Sequence, residues 1–175
     1  MPVKCKKLLV LIDCWNYENS DLQVNIKNNT RTTAYENIVT FFKNNDIDLL
    51  INSNYENKSV HPVINSFLNK TPHHTIFDTN ELINLIQKNA PAEVYYAGTH
   101  WNQCIRNRPT GWEPVQKEII KHDIDCRIVF DPRILVKESH IDGSEQCPAI
   151  FEEGDLKILT QLSDYKWELN RRQNQ

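Results

Sequence analysis

A thiol, a carboxylate and an ammonium group set in order along a chain are the ingredients of nucleophilic acyl chemistry, and this sequence supplies one of each. Cys104 lies in GTHWNQCIRN, six residues after Gly98. There a run rich in β-formers, Glu93 to Gly98, gives way to a helix. A helix N-terminus carries unpaired N–H groups and partial positive charge, so a cysteine in its first turn is expected to have a lowered pKa. Backbone N–H groups from His100 to Cys104 could then donate to the oxyanion formed as sulfur attacks a carbonyl. Asp13 closes the apolar run KLLVLID and could take the thiol proton. It also reads as a loop or helix cap. Lys70 would favour both carboxylate and thiolate if it reached them, and away from them it is a solvated surface lysine.

Around the nucleophile turn, Arg106 and Arg108 could bind an acidic substrate group, or be surface charge on a loop. Trp101 occupies the turn itself and is the candidate to wall a planar-ligand pocket. Tyr95 and Tyr96 read as strand packing. With Trp15, Thr99 and His100, Trp101 and Arg106 make up the expected substrate-binding set. The other cysteines, Cys5, Cys14, Cys126 and Cys147, lack such a context and read as inert thiols. The cysteine count is odd and no pair has Cys-x-x-Cys spacing, which speaks against a disulfide framework and a zinc knuckle. His61, His73, His74 and His100 show no metal-ligand spacing with acids, so no metal and no cofactor are expected.

These residues need a scaffold, and the chain reads as alternating strands and helices. Strands are expected at Lys7 to Asp13, Asp48 to Asn52, Thr75 to Phe77, Glu93 to Gly98 and Cys126 to Asp131. Residues 14–31, rich in Asn and Asp, read as a loop before a helix capped by Thr32 or Thr33. Val60 to Leu68 fits a short helix or a long connection. A helix opens at Thr79, another follows Gly98 and is broken at Pro109-Thr110-Gly111, and a last one is expected from Asp155 to Asn170. Residues 132–154 have no clear role. The alternation implies a three-layer α/β/α sandwich with a largely parallel, doubly wound, Rossmann-like sheet, in one domain over residues 1–175. In such folds ligands bind at the carboxyl ends of the strands, where Asp13 and the turn after Gly98 both fall.

Composition narrows the function classes. A net charge of -3 implies no bulk attraction to nucleic acid or to an anionic membrane. The longest apolar run, Leu8 to Ile12, is too short to span a bilayer, and the N-terminus lacks signal-peptide character. A cytoplasmic protein acting on a small molecule is expected.

The site residues also resemble a family. Asp13 in LVLIDCWN is similar to the first-strand aspartate of isochorismatase-like cysteine hydrolases, whose motif there is roughly V-I-D-M-Q-N. GTHWNQCI is similar to their G-x-x-T-x-x-C-V nucleophile turn. Lys70, Phe77, Thr79 and Leu82 follow the family's lysine, aromatic and helix-start plan with one residue of slack. The resemblance, over about residues 6–131, implies Asp13 as general base, Lys70 as electrostatic partner and Cys104 as nucleophile. It implies a cis peptide at Thr99–His100 and often a homo-oligomer. The chain departs from the pattern at Trp15, at Trp101 and in Arg106-Asn107-Arg108-Pro109-Thr110-Gly111-Trp112. The expected function is a cysteine hydrolase of a small amide-like substrate. The alternative is a catalytically inactive relative that binds or oligomerises. A metal-dependent nuclease fits poorly, because no acid follows the strand ending at Gly98.

Overall fold

The computed structural model describes residues 6–16, 22–56, 59–138, 145–162 and 164–170. Strand β1 (Lys7–Ile12) is central, and Leu8 to Ile12 are all buried, as a strand covered on both faces requires. It pairs in parallel with β2 (Leu49–Ser53) on one side and β4 (Glu93–Thr99) on the other, so that Ile12 stands between Ser53 and Gly98. Beyond β2 lies the two-residue edge strand β3 (His74–Thr75). Beyond β4 lie β5 (Arg127–Phe130) and then β8 (Trp167–Leu169). The order is β3-β2-β1-β4-β5-β8. After β5 a 3-10 turn (Pro132–Ile134) offsets the chain, and β6 (Leu135–Glu138) pairs with the last residues of β4. Strand β7 (Glu145–Gln146) adds to β6 antiparallel.

Period-two alternation along the strands divides the core between the two faces. On one face Leu9, Leu11, Tyr95 and Ala97 pack with Ala34, Tyr35 and Ile38 of α1 (Leu22–Asn44) and Ile64, Phe67 and Leu68 of α2 (Pro62–Asn69). On the other, Leu8, Val10, Ile12 and Tyr96 pack with Leu82, Ile83 and Ile86 of α3 (Thr79–Asn89) and Trp112, Val115 and Ile119 of α5 (Trp112–Lys121). Between β4 and α5 runs the single turn α4 (Cys104–Asn107), and α6 (Glu153–Thr160) adds Leu159 to the second face. The expected doubly wound α/β/α architecture is the one observed. Among the described residues no helix is long and apolar enough to cross a membrane.

Several local expectations need correction. Helix α1 begins at Leu22 rather than at Thr32. Asn is a weak helix former, which hid the first turns, but extending an established helix costs little per residue. Val60 to Leu68 resolves into α2, with His61 as its N-cap and Pro62 in its first turn, a start signal visible in the sequence. The expected last helix stops at Thr160, and Trp167–Leu169 is instead a strand that extends the sheet beyond β5. Residues 132–154, left unassigned, supply the 3-10 turn, β6 and β7; residues 139–144 lie outside the described residues.

Gly98 brings the two central strands together. Its φ is +122°, and a Cβ there would stand 2.0 Å from the Ile12 carbonyl oxygen. Only glycine lets β4 approach β1 this closely at the carboxyl end of the sheet.

Candidate active site

In the strand order β3-β2-β1-β4-β5, the chain goes outward in one direction from β1 and returns to β1's other side with β4. The loops leaving β1 and β4 therefore diverge and open a crevice at the carboxyl ends. Asp13 leaves β1 with a left-handed φ of 50°, and its N–H donates to the Ser53 carbonyl at 3.2 Å. Its carboxylate is fully buried. One oxygen accepts the Tyr55 N–H at 2.8 Å, and the other accepts Arg108 Nε at 2.8 Å. The Cys104 thiol lies within hydrogen-bonding reach of the same carboxylate. Asp13 and Cys104, expected to meet, do meet.

The turn that carries the thiol is tightly folded. His100 adopts φ 63°, and the N–H groups of Gln103 and Ile105 both donate to its carbonyl, at 2.9 and 3.2 Å. The Trp101 N–H donates to Val136 on β6 at 3.1 Å. Of the N–H groups expected to face an oxyanion, those of Trp101 and Gln103 are thus engaged within the fold. Those of Asn102 and Cys104 remain as candidate donors. The Thr99–His100 peptide is trans; the cis bond of the described residues is Cys147–Pro148.

Burial and the Asp13 charge push the Cys104 thiol up to about 11, with Arg108 acting in the opposite direction. The expected low-pKa thiolate is therefore replaced by a thiol. Helix α4 is a single turn whose N-cap residue makes no side-chain cap, and a carboxylate is the closer electrostatic influence. Burial likewise raises Asp13 above its ordinary value, while the Tyr55 N–H and Arg108 pull it back. The result is a thiol beside a hydrogen-bonded carboxylate, a pair suited to proton transfer as the sulfur attacks.

Lys70 is not part of this group. Helix α2 starts beside Cys14, whose carbonyl accepts the His61 N–H at 2.9 Å, and runs back along the sheet. Eight residues of helix carry the chain about 12 Å toward the opposite sheet edge, where Lys70 is the exposed C-cap. It borders a shallow groove with Glu36, Lys43 and Thr71. The cation on Asp13 is Arg108, a contact between residues 95 apart in sequence that no local spacing announces.

Trp101 turns inward. Buried, it stacks on Trp112 with ring centroids 6.3 Å apart and planes 9° from parallel, and its carbonyl accepts Trp112 Nε1 at 2.8 Å. It is core and not a pocket wall. Arg106 also points elsewhere: its guanidinium bonds Glu113 at 2.9 Å and Asn102 at 3.0 Å, and covers the Trp112 ring. Thr99 is buried against the Tyr35 hydroxyl at 2.6 Å. His100 Nε2 lies 3.4 Å from the buried guanidinium of Arg31 on α1. Trp15 stays by the crevice, with Nε1 donating to the Tyr55 carbonyl at 3.1 Å. Tyr55, missed in the sequence, links the two loops: its hydroxyl meets Thr110 Oγ1 at 2.8 Å and its ring meets Phe77 edge-on. Among the described residues no three His, Cys, Asp or Glu side chains gather as a metal site.

With this geometry in hand, comparison with solved structures decides the fold. N-carbamoylsarcosine amidase from Thermoplasma acidophilum superposes with a TM-score of 0.56 at 13% identity, covering 95% of this chain and 96% of that one. The chain has the isochorismatase-like hydrolase fold. A second structure, an isochorismatase-like hydrolase from Alkaliphilus metalliredigens, aligns with a TM-score of 0.51 at 13% identity over 93% of each chain. A scan against protein-family models finds no match, and neither does a search of curated proteins.

Proposed function

We propose that the protein is a cysteine hydrolase of small amide-like substrates, with Cys104 as nucleophile and Asp13 as its proton acceptor. The observation that carries this reading is the Cys104 thiol set against the Asp13 carboxylate at the switch point of the sheet. As sulfur attacks the carbonyl carbon, the thiol proton passes to Asp13. The Asn102 and Cys104 N–H groups are the candidate donors to the developing oxyanion. Collapse breaks the C–N bond, and Asp13 returns the proton to the departing amine. Water then attacks the thioester, giving one proton to Asp13, which restores the thiol as the acid product leaves.

The named activity of the Thermoplasma neighbour suggests the first substrates to try: N-carbamoyl amino acids, then simple primary amides, followed by ammonia release. Cys104→Ala and Asp13→Asn should each lower kcat by about 10²-fold or more. Activity that survives Cys104→Ala would end the proposal. A second reading, a binding protein on the same fold, draws on the Arg108–Glu56 ion pair that lies over Asp13. Saturable binding of a small amide without turnover would favour it.

A further inference from the structure

We propose that Arg108 is the positioning cation of this site, holding the Asp13 carboxylate ionised and fixed beside the Cys104 thiol from a loop that follows the nucleophile. This rests on the reading of Cys104 and Asp13 as a reactive pair. Arg108 Nε donates to Asp13 at 2.8 Å while one terminal nitrogen donates to Glu56 at 2.9 Å. Its guanidinium is also placed by two rings, 4.9 Å from the Tyr55 centroid and 5.7 Å from that of Trp15. The head group is thus held by two carboxylates and two aromatic faces, all four from the loops after β1 and β2. Such a planar fork is difficult to replace with the point charge of lysine.

The backbone explains how the residue arrives there. Helix α4 ends after one turn, and the Arg108 N–H closes it on the Cys104 carbonyl at 3.0 Å. Arg108 therefore projects from the end of the turn that presents the sulfur. Cys104 and the cation thus stand at the two ends of one hydrogen-bonded turn. The Gly111 N–H donates to the Arg108 carbonyl at 2.7 Å and closes the following loop. A Cβ on Gly111 would stand 2.6 Å from the Ile105 carbonyl oxygen, so this compact loop requires glycine there.

The charged and titratable groups facing the pair are Arg108, Glu56 and Tyr55 on the crevice side, with Cys14, Arg31 and His100 on the α1 side. Arg108 favours the thiolate and Glu56 opposes it, so the two substitutions act with opposite sign. Asp13 cannot strip a proton from arginine, so Arg108 brings a constant positive charge to the site.

The test is the rate of Cys104 alkylation by limiting iodoacetamide from pH 7.5 to 10, read by peptide mass spectrometry on the full chain. It needs no substrate. Arg108→Gln should slow Cys104 labelling about tenfold at each pH, one unit of displacement along the profile. Arg108→Lys, which keeps charge but loses the fork, should slow it less. Glu56→Gln, an exposed change that leaves the fold alone, should speed labelling about two- to threefold, following the lost opposing charge. Lys70→Gln should leave the profile where it is. If Arg108→Gln does not fold, Arg108→Lys and Glu56→Gln decide the matter. A profile unmoved in both, or one displaced by Lys70→Gln, overturns the assignment. Loss of the hydrolase reading shows separately, as ammonia release that persists in Cys104→Ala.

Discussion

Replacing Gly98 with alanine tests whether close approach of β1 and β4 builds the site. The native φ of +122° lies outside the left-handed well that L residues tolerate, which costs about 1–3 kcal/mol. A Cβ 2.0 Å from the Ile12 oxygen and 3.2 Å from Cys14 Sγ must also push the strands apart, a further cost of about 1–3 kcal/mol. A loss of about 4 kcal/mol is large against a domain stability of about 5–15 kcal/mol. With a urea m-value of about 2 kcal/mol per molar, the midpoint should fall by about 2 M. The same displacement separates the Cys104 turn from Asp13, and a shift of about 1 Å at reacting groups can cost about 10² in rate. The measurement is urea unfolding by circular dichroism, paired with kcat for the folded fraction. Gly154→Ala is the counterpart. It stands in α6 with nothing within 4 Å of the new methyl, so it should gain about 0.4–1 kcal/mol. A Gly98→Ala midpoint within about 0.5 M of the parent at unchanged m would refute the close-approach argument.

Two pH dependences follow from the same burial. The buried thiols of Cys14 and Cys126 hold their protons well above the ordinary value of 9.0, Cys126 to about 12, because burial disfavours the thiolate. Above pH 9 the unfolded chain binds fewer protons than the folded one, so stability present below that pH should be lost as pH rises, by up to roughly 1.4 kcal/mol per unit per thiol. Urea midpoints at pH 8, 9.5 and 10.5 measure this, and Cys126→Ala should make the decline shallower. In activity, Asp13 must be ionised to accept a proton, and burial raises its pKa above the ordinary 3.8. The acid limb of kcat/KM should therefore lie above that value, and Arg108→Gln should move it further up. No alkaline limb from Cys104 is expected below about 11.

The sequence carried the scaffold where structure is local. The run Leu8 to Ile12, the β-formers before Gly98 and the turn between them and Cys104 each announce a strand or its end within a few residues. Asp13 and Cys104 follow, since parallel strands of a switch-point sheet deliver their carboxyl ends to one crevice. The partner cation was not legible. Lys70 had the right order but stands at the wrong end of a helix whose direction only the fold reveals. Arg108 reads from the sequence as a possible anchor for an acidic substrate group, and its pairing with Asp13 was hidden because that contact spans 95 residues and depends on how α4 stops. Trp101 and Arg106 were read from position in a loop, whereas packing turned one into the core and an ion pair drew the other to Glu113. The strand at Trp167–Leu169 was too short for alternation to show against a helical pattern.

The indoles give the molecule a built-in optical readout. Trp101 and Trp112 are stacked and dry, so their emission reports whether the turn bearing Cys104 is packed. Trp15 sits under the Arg108 guanidinium at the mouth of the crevice. A ligand that displaces that cation should change Trp15 emission while leaving the stacked pair dark to the event. Binding and unfolding thus become separable in one spectrum, with single tryptophan-to-phenylalanine variants assigning each band.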